Sequence, residues 1–333
     1  VTAGPRYRVR RLPGNPIVRP DQDDRMGRNV QGPSLIRVPD WVRDPLGRYY
    51  LYFADHKGDY IRLAYSDAIE GPWRVHRPGA LRLQDSGLPT DPIAAPPGAT
   101  AASVAGNRPG LAPPGTPGIP DALADATTPH VASPDVHVDP VGRRIVMYFH
   151  GLESFGVQRT RVATSTDGLA FVCRPGSLGP AYFRAFRHDG QVYALAMPGV
   201  LLRSRDGLGD FERGPDLFGE PLQRHTAVRV RAGRLEVFWT RVGDAPEHIL
   251  LSEVALDGPW TAWRAGPPSA LLRPELDWEG ADLPVRPSYR GAIGVDVNQL
   301  RDPALFEEDG RTWLLYAVRG EAGIALAELL PAG

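Results

Sequence analysis

The sequence predicts an all-β chain folded as a five-bladed β-propeller with four-stranded antiparallel blades, and three observations carry that expectation. A strand-loop-strand unit recurs five times, as "YYLYFADHKGDYIRLAYSD" (49–67), "IVMYFHGLESFGVQRTRVATSTDG" (145–168), "VYALAMPGVLLRSRDG" (192–207), "LEVFWTRVGDAPEHILLSEVALDG" (235–258) and "TWLLYAVRGEAGIALAEL" (312–329). Each copy follows another β-rich stretch: "GPSLIRVPD" (32–40), "SPDVHVD" (133–139), "AYFRAFRHDG" (181–190), "RHTAVRVRAG" (224–233) and "RDPALFEEDG" (301–310). Helical periodicity is almost absent, while 37 Gly and 35 Pro supply the turns that many short strands require. A repeated four-stranded unit cannot bury its own apolar face, so stacking around an axis is the arrangement that gives every copy a core.

Taken in order, each β-rich stretch supplies an inner strand and each recurring unit the next two. "GPWRVH" (71–76) and "GPWTAW" (258–263) are expected to supply outer strands. Residues 1–333 then form one propeller domain with two insertions. The Pro/Ala/Gly-rich segment 85–129 lacks the apolar content for a core of its own and is expected as a surface excursion, partly extended. Segment 267–300, richer in aromatic and acidic residues around "ELDWEGADLP", is the better lid candidate.

Composition narrows the function. Thirty-eight basic against thirty-nine acidic residues give a net charge of −1, so no global field draws the chain to nucleic acid or anionic lipid. Apolar runs stay below the roughly 18–20 residues that cross a bilayer, so no membrane partner is expected. The single Cys173 forms no internal disulfide, which suits a reducing compartment and makes the cytoplasm the expected location; a trimmed secretion signal would leave no trace.

In a propeller the inner-strand entrances and the loops between second and third strands crowd one face. The entrances carry Gln31 and Ser34, Asp135 and His137, Arg184, His225, and Arg301 with Asp302. The loops add Asp55, His56 and Lys57, then His150 and Glu153, Arg241 and Asp244, Glu247 and His248, and Arg319 with Glu321. Converging carboxylates, imidazoles and guanidiniums make this face the expected site for a small, sugar-like or anionic substrate. Asp135, Asp302, His225 and Glu321 are the catalytic candidates. Asp55, His56, Arg184, Arg241, Arg301 and Glu279 are expected to bind substrate, with Trp239 or Trp278 stacking on a sugar face. His56, His137, His150 and His225 have the atoms to hold a divalent metal ion, although no fixed ligand motif joins them.

The chain resembles the five-bladed propeller glycosidases: arabinanases, arabinofuranosidases, β-xylosidases, fructosidases and related mannoside phosphorylases. The resemblance rests on "NPIVRP" (15–20), "GRYYLYFA" (47–54) with "IRLAYSDAIEGPW" (61–73), "SPDVHVD" (133–139) and "QLRDPALFEEDGRTWLLYA" (299–317), and runs through most of the chain. It implies hydrolysis by inner-strand carboxylates acting as base, orienting acid and acid, with Asp135 matching the second of these. The first blade offers Asn29, Gln31 and Ser34 where the base belongs, and the third offers Arg184 where the acid belongs. Neither an amide nor a guanidinium transfers protons at ordinary pH. Three readings follow: a glycoside hydrolase-like enzyme centred on Asp135 and Asp302, a metal-dependent lyase, isomerase or hydrolase using the channel histidines, and a sugar-binding propeller without turnover.

Overall fold

A computed structural model describes residues 6–106 and 109–332. Five antiparallel sheets surround a central channel, with inner strands Gln31–Arg37, Val131–Asp139, Arg184–His188, Gln223–Arg231 and Arg301–Glu308 in blades one to five. The expected five-bladed propeller is therefore the observed fold. Blade one continues outward through Tyr49–Ala54, Tyr60–Ser66 and Arg74–Arg82, consecutive strands pairing antiparallel as short loops require.

The strands read as nearly continuous apolar runs because both faces of each blade are covered. Tyr50, Tyr52 and Ile61 of blade one meet Ile145, Met147 and Phe149 of blade two in one core. Leu51 and Phe53, on the opposite face of the same strand, meet Trp313 and Leu315 of blade five. This alternation of period two sends successive residues into two different interblade cores.

Ring closure uses the chain's beginning. Tyr7–Arg11 pairs antiparallel with Ile324–Pro331 as the outer strand of blade five, so "RYRVRR" is a closing strand with its Tyr7 ring buried. Tyr7 donates a hydrogen bond to Glu236 at 2.6 Å, tying the closure to blade four.

One local expectation needs correction. "GPWTAW" does not form an outer strand: Trp260–Ala262 is a 3-10 turn, and Ser269–Leu272 closes blade four. Trp260 and Trp263 bury their rings against Tyr193 of blade three, at 5.9 and 5.3 Å, and that packing turns the segment off the sheet. Segment 85–129 carries two short helices, Ala101–Gly106 and Ala122–Thr127. Asp121 caps the second by accepting from the Ala124 amide at 2.8 Å, and Lys57 pairs with Asp125 at 2.7 Å to pin it to blade one. Among the described residues no helix is long and apolar enough to cross a membrane.

Candidate active site

One residue at every inner-strand entrance has left-handed backbone: Gly32 (φ 65°), Ser133 (50°), Tyr182 (67°), His225 (42°) and Asp302 (48°). In blades one, two, four and five the pairing slips there, between Gln31 and Ser34, Ala132 and Asp135, Arg224 and Thr226, and Arg301 and Ala304. Such a bulge re-aims a side chain out of the alternating pattern. A left-handed residue other than glycine costs about 1–2 kcal/mol, so four strained positions encircle one mouth of the channel.

That mouth holds a cavity of about 480 Å³ whose wall includes His56, Ser133, His150, Tyr182, Arg224 and His225. Both insertions roof it, the first through Pro109, Leu111 and Asp125 and the second through Arg290 and Gly291. They are joined to each other: the Arg290 amide donates to Gly110 O at 2.7 Å and the Gly294 amide to Gly118 O at 2.6 Å. The Arg290 guanidinium adds bonds to Pro109 O at 3.2 Å and Pro221 O at 2.6 Å.

Three buried carboxylates lie behind the wall. Asp302 accepts a hydrogen bond from Tyr182 Oη at 2.6 Å, and its second oxygen has no hydrogen-bond partner. Burial, reinforced by repulsion from Glu321, pushes its pKa up to about 6. Burial also opposes ionisation of Glu321, but His56 at 3.2 Å, Arg301 at 2.8 Å and Asn29 at 2.6 Å outweigh it and hold this carboxyl well below the usual carboxylate range. Glu247 sits 3.3 Å from Arg301, 3.8 Å from Arg224 and 3.7 Å from His225, with neither oxygen hydrogen-bonded.

An arc of rings crosses the mouth: His130 to His150 at 6.3 Å, His150 to Tyr182 at 5.9 Å and Tyr182 to His225 at 5.5 Å. Burial drives all three histidines well below their ordinary pKa, so the imidazoles are neutral at neutral pH.

The structure thus gathers Asp302, His225, Glu321, Arg301, His56 and His150 at one mouth and places other candidates elsewhere. Asp135 and His137 line a second cavity of about 730 Å³ that runs from the channel interior, where Asp135 lies 4.0 Å from Arg184, toward the opposite mouth, where His137 lies. There Asp135 accepts from the Ala185 amide at 2.7 Å and meets His137 Nε2 at 2.8 Å. Arg184 is buried in the channel wall, donating to Thr226 O at 2.8 Å and Pro134 O at 3.0 Å. Asp55 caps the Lys57 amide at 2.8 Å, and Arg241 pairs with Glu220 at 3.1 Å.

Neither proposed stacking ring lines the roofed cavity. Trp239 is 1% exposed in the core between blades three and four, and Trp278 packs against the core between blades four and five. Glu279 is buried between Arg11, at 2.8 Å, and the Tyr316 hydroxyl, at 2.9 Å, anchoring the second insertion to blade five. Tyr182, Ser133 and Arg224 are wall residues that the sequence reading did not single out.

The histidine set proposed for a metal is divided, His137 lying at the opposite mouth from His56, His150 and His225. Among the described residues no group of three or more His, Cys, Asp or Glu side chains is arranged to hold a metal ion. The donors present there do not fit one.

A curated protein of Acanthamoeba polyphaga mimivirus, "Uncharacterized protein R118", is 34% identical across 96% of this chain and 90% of its own length. The chain belongs to the family of that viral protein. No family model matches it. Among solved structures, it is similar to one reported for the GH130 family of mannoside phosphorylases, which contains glycoside hydrolases that target β-1,2 mannosidic linkages. That match has a TM-score of 0.61 and 12% identity and covers 100% of this chain and 97% of the other. An α-L-arabinofuranosidase from Lactobacillus brevis matches with a TM-score of 0.52 and 12% identity, over 94% of this chain and 92% of its own. A Cellvibrio cellulosa α-L-arabinanase mutant matches with a TM-score of 0.53 and 13% identity, over 91% of each chain. At this identity the shared property is the five-bladed fold.

Proposed function

We propose that this chain is a carbohydrate-active enzyme that cleaves a small neutral glycoside in the roofed cavity, with Asp302 exchanging the proton. The observation that carries this reading is a pair of carboxylates at one mouth with separated protonation states: Asp302 titrating near 6 and Glu321 ionised throughout the ordinary range. Burial and the fixed charge of Glu321 thus hold Asp302 near the pKa that proton exchange at ordinary pH requires. The propeller fold shared with glycosidases adds weight by analogy.

The roof supports a small substrate, since both insertions close over a volume of about 480 Å³. Arginine pairing supports a neutral one: Arg301 is matched by Glu321 and Glu247, and Arg241 by Glu220. Arg224 donates to Tyr289 O at 2.7 Å and lies 3.8 Å from Glu247.

The test is a panel of 4-nitrophenyl glycosides offered to the wild-type protein and to Asp302→Asn; turnover by the wild type alone is the expected result. Equal turnover by both, or none by either, overturns the assignment. Asp135→Asn is expected to retain kcat/KM within about tenfold, because Asp135 lines the channel cavity beyond Arg184 and is not part of the roofed cavity's wall. A loss as deep as that of Asp302→Asn would move the site. Arg290→Ala is expected to raise KM by about tenfold with kcat little changed, by releasing the roof from Pro109 and Pro221. An unchanged KM would show that the roof does not shape binding.

A further inference from the structure

We propose that Tyr182 is the nucleophile of this site, its Oη attacking the anomeric carbon while Asp302 takes the phenolic proton. The assignment rests on the glycoside-cleaving reading above and names the group that meets the substrate.

Asp302 is 0% exposed and lies behind the cavity wall, whereas Tyr182 is part of that wall. A ligand in the cavity therefore reaches Tyr182 before it reaches Asp302. The hydroxyl already donates to Asp302 Oδ1 at 2.6 Å, so the path and direction of proton transfer are set before substrate arrives. An adjacent base is what turns a weak hydroxyl into a nucleophile. The Arg184 guanidinium stands 4.4 Å from the centre of the tyrosine ring, where a positive charge favours a developing phenolate. Carbonyls of Thr226 and Pro134 hold that guanidinium in place.

Ring and backbone are both constrained. His150 and His225 flank the ring at 5.9 and 5.5 Å, and Tyr182 keeps a left-handed backbone, unusual for a bulky side chain. Strain of this kind is retained where the surrounding structure needs one orientation. The wall carboxylate Asp125 is paired with Lys57 at 2.7 Å. Burial and the charge of Asp302 raise the Tyr182 pKa well above its ordinary value, so the resting group is a neutral phenol that requires the base.

In the first step the Oη–carbon bond forms as the bond to the leaving oxygen breaks. That oxygen keeps the electron pair, and the phenolic proton passes to Asp302. A 4-nitrophenolate leaves without protonation; an alkoxide takes its proton from water. In the second step water adds to the anomeric carbon, the carbon–Oη bond breaks with its pair returning to Oη, and Asp302 gives the proton back. The surplus proton of the water goes to solvent. Two displacements give net retention of configuration.

The experiment takes the sugar that the wild type releases from the 4-nitrophenyl panel and incubates the protein with the matching 2-deoxy-2-fluoroglycosyl fluoride. Peptide mass spectrometry is expected to find one glycosyl adduct, on Tyr182, and proton NMR of the normal reaction to show retention. Tyr182→Phe preserves the ring packing and is expected to fold, melting somewhat lower for the lost hydrogen bond to Asp302, while losing at least about a thousand-fold in kcat/KM at temperatures well below its melt. An adduct on Asp302, Glu247 or Glu321, inversion of configuration, or a Phe variant within about tenfold of wild type would overturn the proposal. Absence of wild-type turnover across the panel would instead overturn the parent reading and remove this one with it.

Discussion

Asp302→Asn is expected to lower kcat/KM by about a thousand-fold or more and to erase a rise of kcat/KM with pH centred near 6. Tyr182 donates to this carboxyl, so the working form is the carboxylate, and activity increases as pH climbs through its pKa. The facing groups are Tyr182, His225, Glu321, Arg224 and His56; His225 is neutral across this range and Glu321 is already ionised. An asparagine oxygen still accepts the tyrosine hydrogen bond but takes no proton, so the variant separates chemistry from packing. Stability should move the other way. A carboxyl whose folded pKa is raised from 3.8 to about 6 favours the fold below pH 4 and loses that contribution as pH rises through 6. At 1.36 kcal/mol per pH unit the ionised group costs the fold about 3 kcal/mol above that range. Asp302→Asn should therefore resist urea better than the wild type at pH 8, with the advantage shrinking toward pH 4. A variant destabilised equally at both pH values would contradict the charge argument.

That conflict between stability and charge was only partly legible in the sequence. Blade number, inner strands and the gathering of Asp302, His225, Glu321, Arg301, His56 and His150 followed from repeats and from the geometry of strand entrances. The entrance bulge was missed, and it decides which residue faces which mouth. Its trace is the dipeptides Gly32-Pro33, Ser133-Pro134 and Asp302-Pro303, whose first residues are all left-handed. Setting those in register aligns Ser133 with Asp302, and Asp135 with Ala304 two residues further along the channel. The same register places Tyr182 at the mouth of blade three and Arg184 below it. Blades three and four lack the proline, so local sequence alone does not fix their register, and strand alternation is blind to an inserted residue. Trp239 was misplaced for another reason: an aromatic residue near a strand end suits a sugar platform or an interblade core equally well, and here the core between blades three and four takes it.

Glu321→Gln is expected to shift the acidic limb of kcat/KM to lower pH by about one unit rather than to remove it. Repulsion from Glu321 is the second contribution, after burial, that keeps Asp302 protonated, and an amide withdraws it while leaving Asp302 in place. The same change removes the charge paired with Arg301 at 2.8 Å, leaving Glu247 at 3.3 Å, the Gln299 side chain at 2.7 Å and Gly291 O at 3.2 Å. Breaking a buried ion pair costs about 3–5 kcal/mol, and the remaining contacts to Arg301 favour the lower end of that range. A urea midpoint reduced in proportion, together with a displaced limb and measurable turnover, would identify Glu321 as the anion that tunes Asp302. A limb fixed near 6 in the variant would mean that burial alone sets the Asp302 pKa, and Glu321 would then serve only to hold Arg301, His56 and Asn29 at the mouth.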